Sequence, residues 1–247
     1  MRTKAVLVFG VVALAAASAA QAIGVDELIA KNAAARGGLD KIQAIKSLKV
    51  EGRLRFGGNF DLDFVQYQKA PDSTRSEATV QGLTQVQAWN GKEAWQISPF
   101  GGRKDPERMS AEDAKDMADD ASISGPLIDY KNKGSSIEYL GTEDVDGTDA
   151  HKLKVTLKNG DVDYVYLDPD HFLEIRMVAQ RYVRGTQSER TTDYGDYEEV
   201  NGVYFPFAMT SESKGGDGGK QQTTIEHAEA NVPIEDSVFA FPAGKAH

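Results

Sequence analysis

The sequence predicts a mainly β domain of the α+β class, in which one wide antiparallel sheet is built from hairpins and a few short helices cover one face. The central observation is Ala150 to Met177. His151, Leu153, Val155 and Leu157 alternate with Lys152, Lys154, Thr156 and Lys158, the period of a strand with one face buried. Val162, Tyr164 and Tyr166 repeat the pattern, and Leu173, Ile175 and Met177 resume it after Asp168-Pro169-Asp170, a turn in which Pro presets φ. Turn chemistry is the second observation. Asn90-Gly91, Asp146-Gly147, Asn159-Gly160 and Asn201-Gly202 punctuate the alternating runs, which argues for hairpins rather than crossovers. At Asn159-Gly160 the expected form is a two-residue type I′ turn, since both residues tolerate positive φ. Third, the β pattern stops between Pro99 and Lys133, and a helical insertion there has to lie across a sheet face because it cannot extend the ladder.

Val25, Leu28, Ile29 and Ala33 recur at helical spacing and Gly37-Gly38 supplies a left-handed stop, so Val25 to Arg36 reads as an amphipathic helix, with another turn at Leu39 to Ile45. A first hairpin follows: Leu48, Val50, Leu54 and Phe56, then Gly57-Gly58-Asn59, then Phe60, Leu62 and Phe64, ended by Pro71. Further strands run through Arg75 to Val80, Leu83 to Trp89 and Glu93 to Ser98. In the insertion, Ser110 with Asp113 resembles a helix-capping pair, and Ala114, Met117, Ala118 and Ala121 form a thin apolar stripe among acidic residues. Gly125-Pro126 breaks it, and Leu127, Ile128 and Tyr130 predict a second apolar turn before strands return at Ile137. The remaining strands lie near Glu189 to Tyr197, Val203 to Glu212 and Gln221 to Ala228, with Gly215 to Gly219 as a loop and Phe239 and Phe241 in a tail that folds back as a staple.

Arg2 and Lys4, the apolar run Ala5 to Ala17, and the small-x-small site Ala20-Gln21-Ala22 predict a signal peptide over 1–22, cleaved after Ala22. That run is too short to span a bilayer, so no stable membrane insertion is expected after cleavage, and a periplasmic location fits. One domain is expected over 23–247. Losing Arg2 and Lys4 takes the net charge from −10 to −12. An acidic chain without a basic stripe is not a nucleic-acid binder. Cys is absent, which excludes a disulfide framework and a lipid-modified N-terminal Cys.

Chemistry-bearing motifs are scarce. His151, His171, His227 and His247 lack the spacing of a zinc helix, and His171 with Glu174 is only His-x-x-Glu entering a strand. Asp144, Asp146 and Asp149 resemble part of a calcium loop without its bidentate Glu. Gly215 to Gly219 lacks the Lys and helix start of a phosphate cradle. No catalytic residue, metal or cofactor is therefore assigned. What stands out is the apolar load on alternating faces: Leu54, Phe56, Leu62, Phe64, Trp89, Trp95 and Ile97. A broad curved sheet needs a full layer against it, and Met117, Leu127 and Ile128 are few for that, which predicts an apolar ligand cavity among these ten residues.

Asn90-Gly91-Lys92-Glu93-Ala94-Trp95-Gln96-Ile97-Ser98-Pro99-Phe100 resembles the Asp/Asn-Gly-Lys-x-x-Trp-x-x-x-Pro-Phe segment of periplasmic lipoprotein carriers of the LolA type. The order of signal peptide, opening helix, hairpins, midchain helices and closing Asn231-x-Pro233 to Phe239-x-Phe241-Pro242 is similar to outer-membrane lipoprotein-sorting proteins over the mature chain. The resemblance implies an unclosed antiparallel β half-barrel whose concave face is covered by short helices, with a helical lid near 109–130 and a cavity for acyl chains. One departure is plain. Those carriers place an Arg before a Pro, with an aromatic three residues beyond, as a lid latch; here Ala70-Pro71-Asp72-Ser73-Thr74 stands there, so the latch is not carried over.

The expected function is a non-enzymatic periplasmic binder or carrier of acylated lipoproteins or similar amphiphiles. An envelope sensor or accessory protein that binds a protein partner through the same fold is the alternative, and a periplasmic hydrolase a third reading. Energetics constrain the first. Burying a chain of about fifteen methylenes is worth on the order of 10 kcal/mol against water, and a bilayer offers the same gain. Loading from a membrane then needs an energy source outside this chain, and delivery a better acceptor.

Overall fold

The computed structural model describes residues 23–57, 60–183, 185–214 and 219–242. The expected signal peptide, Gly58-Asn59 in the first turn, most of the Gly215 to Gly219 loop and His247 lie outside them. Thirteen strands form one antiparallel sheet: β1 Ser47–Phe56, β2 Phe60–Lys69, β3 Ser73–Val80, β4 Leu83–Asn90, β5 Ala94–Ser98, β6 Arg103–Arg108, β7 Ser136–Val145, β8 Thr148–Thr156, β9 Val162–Leu167, β10 Glu174–Val183, β11 Thr186–Val200, β12 Val203–Lys214 and β13 Gln221–Ala230. Each pairs with its neighbours in sequence except β6 and β7, which do not meet, and β13 returns to lie beside β1, so the spatial order is β6 to β1 followed by β13 to β7. The sheet is open, with β6 and β7 at its two edges. Topology therefore dictates where the insertion goes. The chain between Met109 and Ser135 has to travel from one edge of the sheet to the other, over the face between them.

Residues paired across a ladder point to the same side, which traces that face strand by strand. It carries Ala78, Phe64, Leu54, Thr223, Met209, Tyr194, Thr192, Met177, Val165 and Leu153. α1 (Val25–Ala35) and α2 (Leu39–Ala44) pack on it. Leu28 and Leu127 are buried against Leu153, Val155, Val165 and Leu167, while Ala33, Ile42, Ile45 and Ile128 close on Val203. The turn between the helices sits hard against the β11–β12 hairpin: Gly37 has φ 110°, and a Cβ on it would stand 2.1 Å from the Gly202 carbonyl oxygen. Only Gly fits such an approach.

The opposite face has its own core. Val86, Ala88 and Trp95 are buried there under the tail, with Ile97 and Phe241 against them. The expected staple is the segment ending in Phe239, which is 1% exposed.

Most hairpins fall where the turn dipeptides put them. Asp146-Gly147 and Asn201-Gly202 both have positive φ at each residue, as does Gln81-Gly82, which the sequence pattern did not mark. Asn159-Gly160 differs. Gly160 has φ 89° but Asn159 is not left-handed, and the loop closes instead through Leu157 N–H donating to the Asp161 carbonyl at 2.8 Å. Asn159 uses its side chain to hold the loop, Oδ1 accepting from Asp161 N–H at 3.0 Å. The expected break in β structure after Pro99 is also shorter than predicted, because β6 forms within it. Its Arg-Lys-Asp-Pro-Glu-Arg composition carries no apolar alternation, and charge with Pro is how an edge strand resists further pairing. Ser110 Oγ accepts from Asp113 N–H at 3.1 Å, but the helix beyond, α3 (Lys115–Asp120), is only 6 residues, and Leu127 to Tyr130 is a series of turns.

Candidate functional site

Between the concave face and the crossing segment lies a cavity of about 1340 Å³, larger than the roughly 300–1,000 Å³ usual for small-molecule sites. Leu54, Phe64, Ile45, Ile123, Met177 and Met209 give it apolar walls. Thr192, Ser211, Gln221 and Thr223 lay a polar stripe along β11 to β13, and Thr192 Oγ1 and Ser211 Oγ share a hydrogen bond of 2.9 Å. Tyr194 is also in the wall, its phenol pushed well above the ordinary range by burial. Apolar walls beside a polar stripe suit an amphiphile better than a plain hydrocarbon.

Of the ten residues singled out from sequence, Leu54, Phe64 and Ile128 line this cavity. Leu62 is buried on the same face next to Leu54. Phe56 is on that face too, but 41% exposed at its rim, where Phe60 (51%) and Leu83 (40%) join it from the neighbouring hairpin ends. Trp89 is half-buried on the concave face with its indole N–H unpartnered. Trp95 and Ile97 point to the opposite face, where Trp95 Nε1 donates to the Phe239 carbonyl at 2.9 Å. Met117 is half-buried on α3, and Leu127 is buried beneath α1.

α3 itself buries no side chain, and what holds it is charge. Arg181 on β10 points to the concave face with a side chain only 2% exposed. Its guanidinium meets Asp163 of β9 at 2.6 Å and Asp119, Asp120 and Asp116 of α3 at 3.2, 3.6 and 3.7 Å. Arg190 of β11 pairs with Asp120 and with Asp116 at 3.9 Å, and Lys115 reaches Asp161 at 2.7 Å. Asn159 Nδ2 donates to Asp119 at 3.0 and 3.2 Å. α3 also touches β4, so it straps one wing of the sheet to the other. Sequence reading missed this clasp although its signal was there. Arg181 follows Met177 and Ala179 at the period of the buried face, a cation where an apolar residue belongs, and the acids of α3 are its complement.

Burial dominates the carboxylates of the clasp. It pushes Asp119 up to about 6 against the opposing pull of Arg181, and raises Asp163 by the same cause. The folded chain thus holds a proton on Asp119 between pH 3.8 and about 6 that the unfolded chain has released. Its contribution to stability is complete below that window and lost as pH rises through it. Asp119→Asn should therefore be more stable than wild type at neutral pH, by on the order of 1–3 kcal/mol or a few degrees of midpoint, and level with it in acid. Thermal unfolding across that range checks the sign. A variant weaker than wild type at neutral pH means that pairing with Arg181 outweighs burial.

Among the described residues no three His, Asp or Glu side chains converge as metal ligands, and no helix is long and apolar enough to cross a membrane. Asp144 and Asp146 have other partners: Asp144 Oδ1 accepts from Gly147 N–H at 3.3 Å, and Asp146 pairs with Arg176 at 2.9 Å. His171 Nδ1 lies 3.1 Å from Asp168.

No protein-family model and no curated protein matches the sequence. Solved structures do match in fold. A DUF1329 family protein from Desulfovibrio piger superposes with a TM-score of 0.59 at 17% identity, over 88% of this chain and 97% of that one. A LolA superfamily protein from Nitrosomonas europaea gives 0.56 at 14%, over 89% and 98%, and a candidate outer membrane lipoprotein-sorting protein domain from Vibrio parahaemolyticus 0.58 at 13%, over 87% and 95%. At these identities the likeness is one of fold: an open antiparallel half-barrel of the LolA type.

Proposed function

We propose that this half-barrel of LolA type binds and carries acylated lipoproteins or similar amphiphiles in the periplasm, without catalysis, after removal of residues 1–22. The observation that carries the reading is the cavity of about 1340 Å³ between the apolar concave face and the crossing segment. Three features support it. The walls combine Leu54, Phe64 and Met209 with a polar stripe. The exposed rim of Phe56, Phe60 and Leu83 offers apolar surface continuous with Leu54 on the same face. Within Met109 to Tyr130, α3 is held by ion pairs more than by packing, whereas Leu127 and Ile128 are fixed in the core; we assign the segment as the lid, with α3 as its weakly packed part and Arg181 and Arg190 in place of the Arg-Pro latch. A weakly packed element opens at low cost, and a ligand shifts it only by binding the open form better. An envelope protein donor or acceptor fits the energetics, since cavity and bilayer offer an acyl chain similar gains.

Protein purified from its own periplasm should carry extractable acylated lipid visible by mass spectrometry, and its intact mass should begin at Ile23. Protein free of lipid that also refuses an acylated peptide sinks the carrier reading; a mass retaining Met1 sinks the export reading alone.

A further inference from the structure

Below the clasp the lid turns through Ser122-Ile123-Ser124-Gly125, and Lys133 reaches back to this turn. Its ammonium donates to Ser122 Oγ at 2.8 Å, Ser124 Oγ at 3.0 Å and the Gly125 carbonyl at 2.7 Å, all neutral acceptors. The two hydroxyls lie 3.1 Å apart. Ser122, Ser124 and Lys133 all line the cavity. Other cations on that wall are differently placed. Arg190 is committed to Asp120 and Asp116, whereas Lys46 and Lys158 stand in solvent. Lys133 is half-buried, and Asp129, the carboxylate whose charge acts on it, makes no ion pair with it. A buried charge without a counter-ion is costly, and hydroxyls that now accept from it are free to turn and donate.

We propose that Lys133, Ser122 and Ser124 seat the negatively charged head of the carried amphiphile, a carboxylate or phosphate, while its chain runs along the apolar wall. The placement of Ile123 supports this direction, since the residue between the two serines packs on the cluster of Leu54 and Phe64 and on that of Ile42, Ile45 and Ile128. With the three N–H bonds of the ammonium given to the two hydroxyls and the Gly125 carbonyl, the hydroxyls would turn to give an anionic oxygen pair two donors beside the positive charge, and such charge-assisted bonds are the strong ones. Burial first, and the charge of Arg36 at the end of α1, hold Lys133 down to about 8, while Asp129 on its own turn raises it. Glu174 of β10 faces Arg36 at 3.8 Å, and Lys158 lays its methylenes on Gly134. An anion at this seat supplies the missing counter-charge and favours the protonated amine.

This inference rests on the cavity reading above, and calorimetry with three lauryl probes separates the two. Laurate and dodecyl phosphate carry the charge; monolauroylglycerol has the same chain and none. For Lys133→Gln we expect both anions to bind about tenfold more weakly and the neutral probe to change less than about twofold. The wild-type chain gives a second readout that involves no substitution. Its affinity for laurate should hold below pH 8 and fall as pH rises through that value, with the neutral probe flat. A wild type with a flat laurate profile, or a variant that loses all three probes equally or none, overturns the headgroup seat while leaving the cavity standing. Failure of every probe to bind wild type overturns both. Laurate without dodecyl phosphate, or the reverse, upholds the seat and identifies which head it takes.

Discussion

Trp95→Ala should destabilise the fold by about 3–5 kcal/mol and leave the affinity for a cavity ligand within about twofold of wild type. The ring is 1% exposed, on the face opposite the cavity. Its indole N–H donates to the Phe239 carbonyl at 2.9 Å, Phe241 meets it edge-on at 6.3 Å, and the Arg75 guanidinium lies 5.3 Å above it. Arg75 also donates to the Val238 carbonyl at 3.0 Å, so removing the ring unseats the whole tail. Trp95→Phe keeps part of the packing and loses the hydrogen bond, for a smaller loss. Urea unfolding of both variants measures the ratio, and probe binding gives the second number. Wild-type stability together with lost binding in Trp95→Ala would place this residue in the ligand's path after all.

The placement of Trp95 shows what a sequence motif carries and what it hides. Asn90 to Phe100 resembles a segment of the LolA-type carriers because it builds a hairpin and anchors the tail. Alternation fixes that Trp89 and Trp95 point to opposite faces, but not which face is concave. Leu54 and Phe64 line the cavity, but the same alternation offered them and Trp95 alike, and only the strand pairing shows which face they share. Phe56 shares their periodicity, yet it sits at the strand end, where the layer of covering helices has run out. That the sheet is built of hairpins was legible from the turn dipeptides, though β6 was not. The crossing of the insertion from β6 to β7 was not, since it depends on β13 closing against β1, a contact between residues far apart in sequence.

Charge was the least legible part. The sequence shows a thin apolar stripe, Ala114, Met117, Ala118 and Ala121, among the acids of this segment, and gives those acids no partner, because the cations that meet them lie far away in the chain. Arg181 and Lys133 are where local rules fail: one a cation on a buried strand face, the other a half-buried amine among hydroxyls. Places where an otherwise consistent sequence breaks its own pattern are where function or strain concentrates.

Arg181→Met should be the most damaging single change at the clasp, lowering stability at neutral pH by about 3–5 kcal/mol, because it leaves buried carboxylates without their cation. Asp163 is 4% exposed and 2.6 Å from the guanidinium, and Asp119 stands 3.2 Å away. Arg181→Lys should recover only part of this, since a single ammonium cannot reach carboxylates on β9 and α3 at once as the fork does. Two further measurements separate a clasp from a generic core defect. Adding Asp163→Asn to Arg181→Met removes one orphaned charge and should restore a fraction of the loss, where two unrelated lesions would add. Acid should do the same. Burial already raises Asp119 and Asp163 with Arg181 present, so without it both protonate at higher pH still, and the deficit of the variant shrinks as pH falls toward about 6. Hydrogen exchange then locates the effect. With the clasp cut, amides of Lys115 to Asp120 and the turn at Ser122 to Gly125 should exchange faster than those of β8 to β12, and the acylated peptide should bind faster. Uniform acceleration over lid and sheet, with no gain in binding rate, would make Arg181 a core residue and leave the lid without a latch.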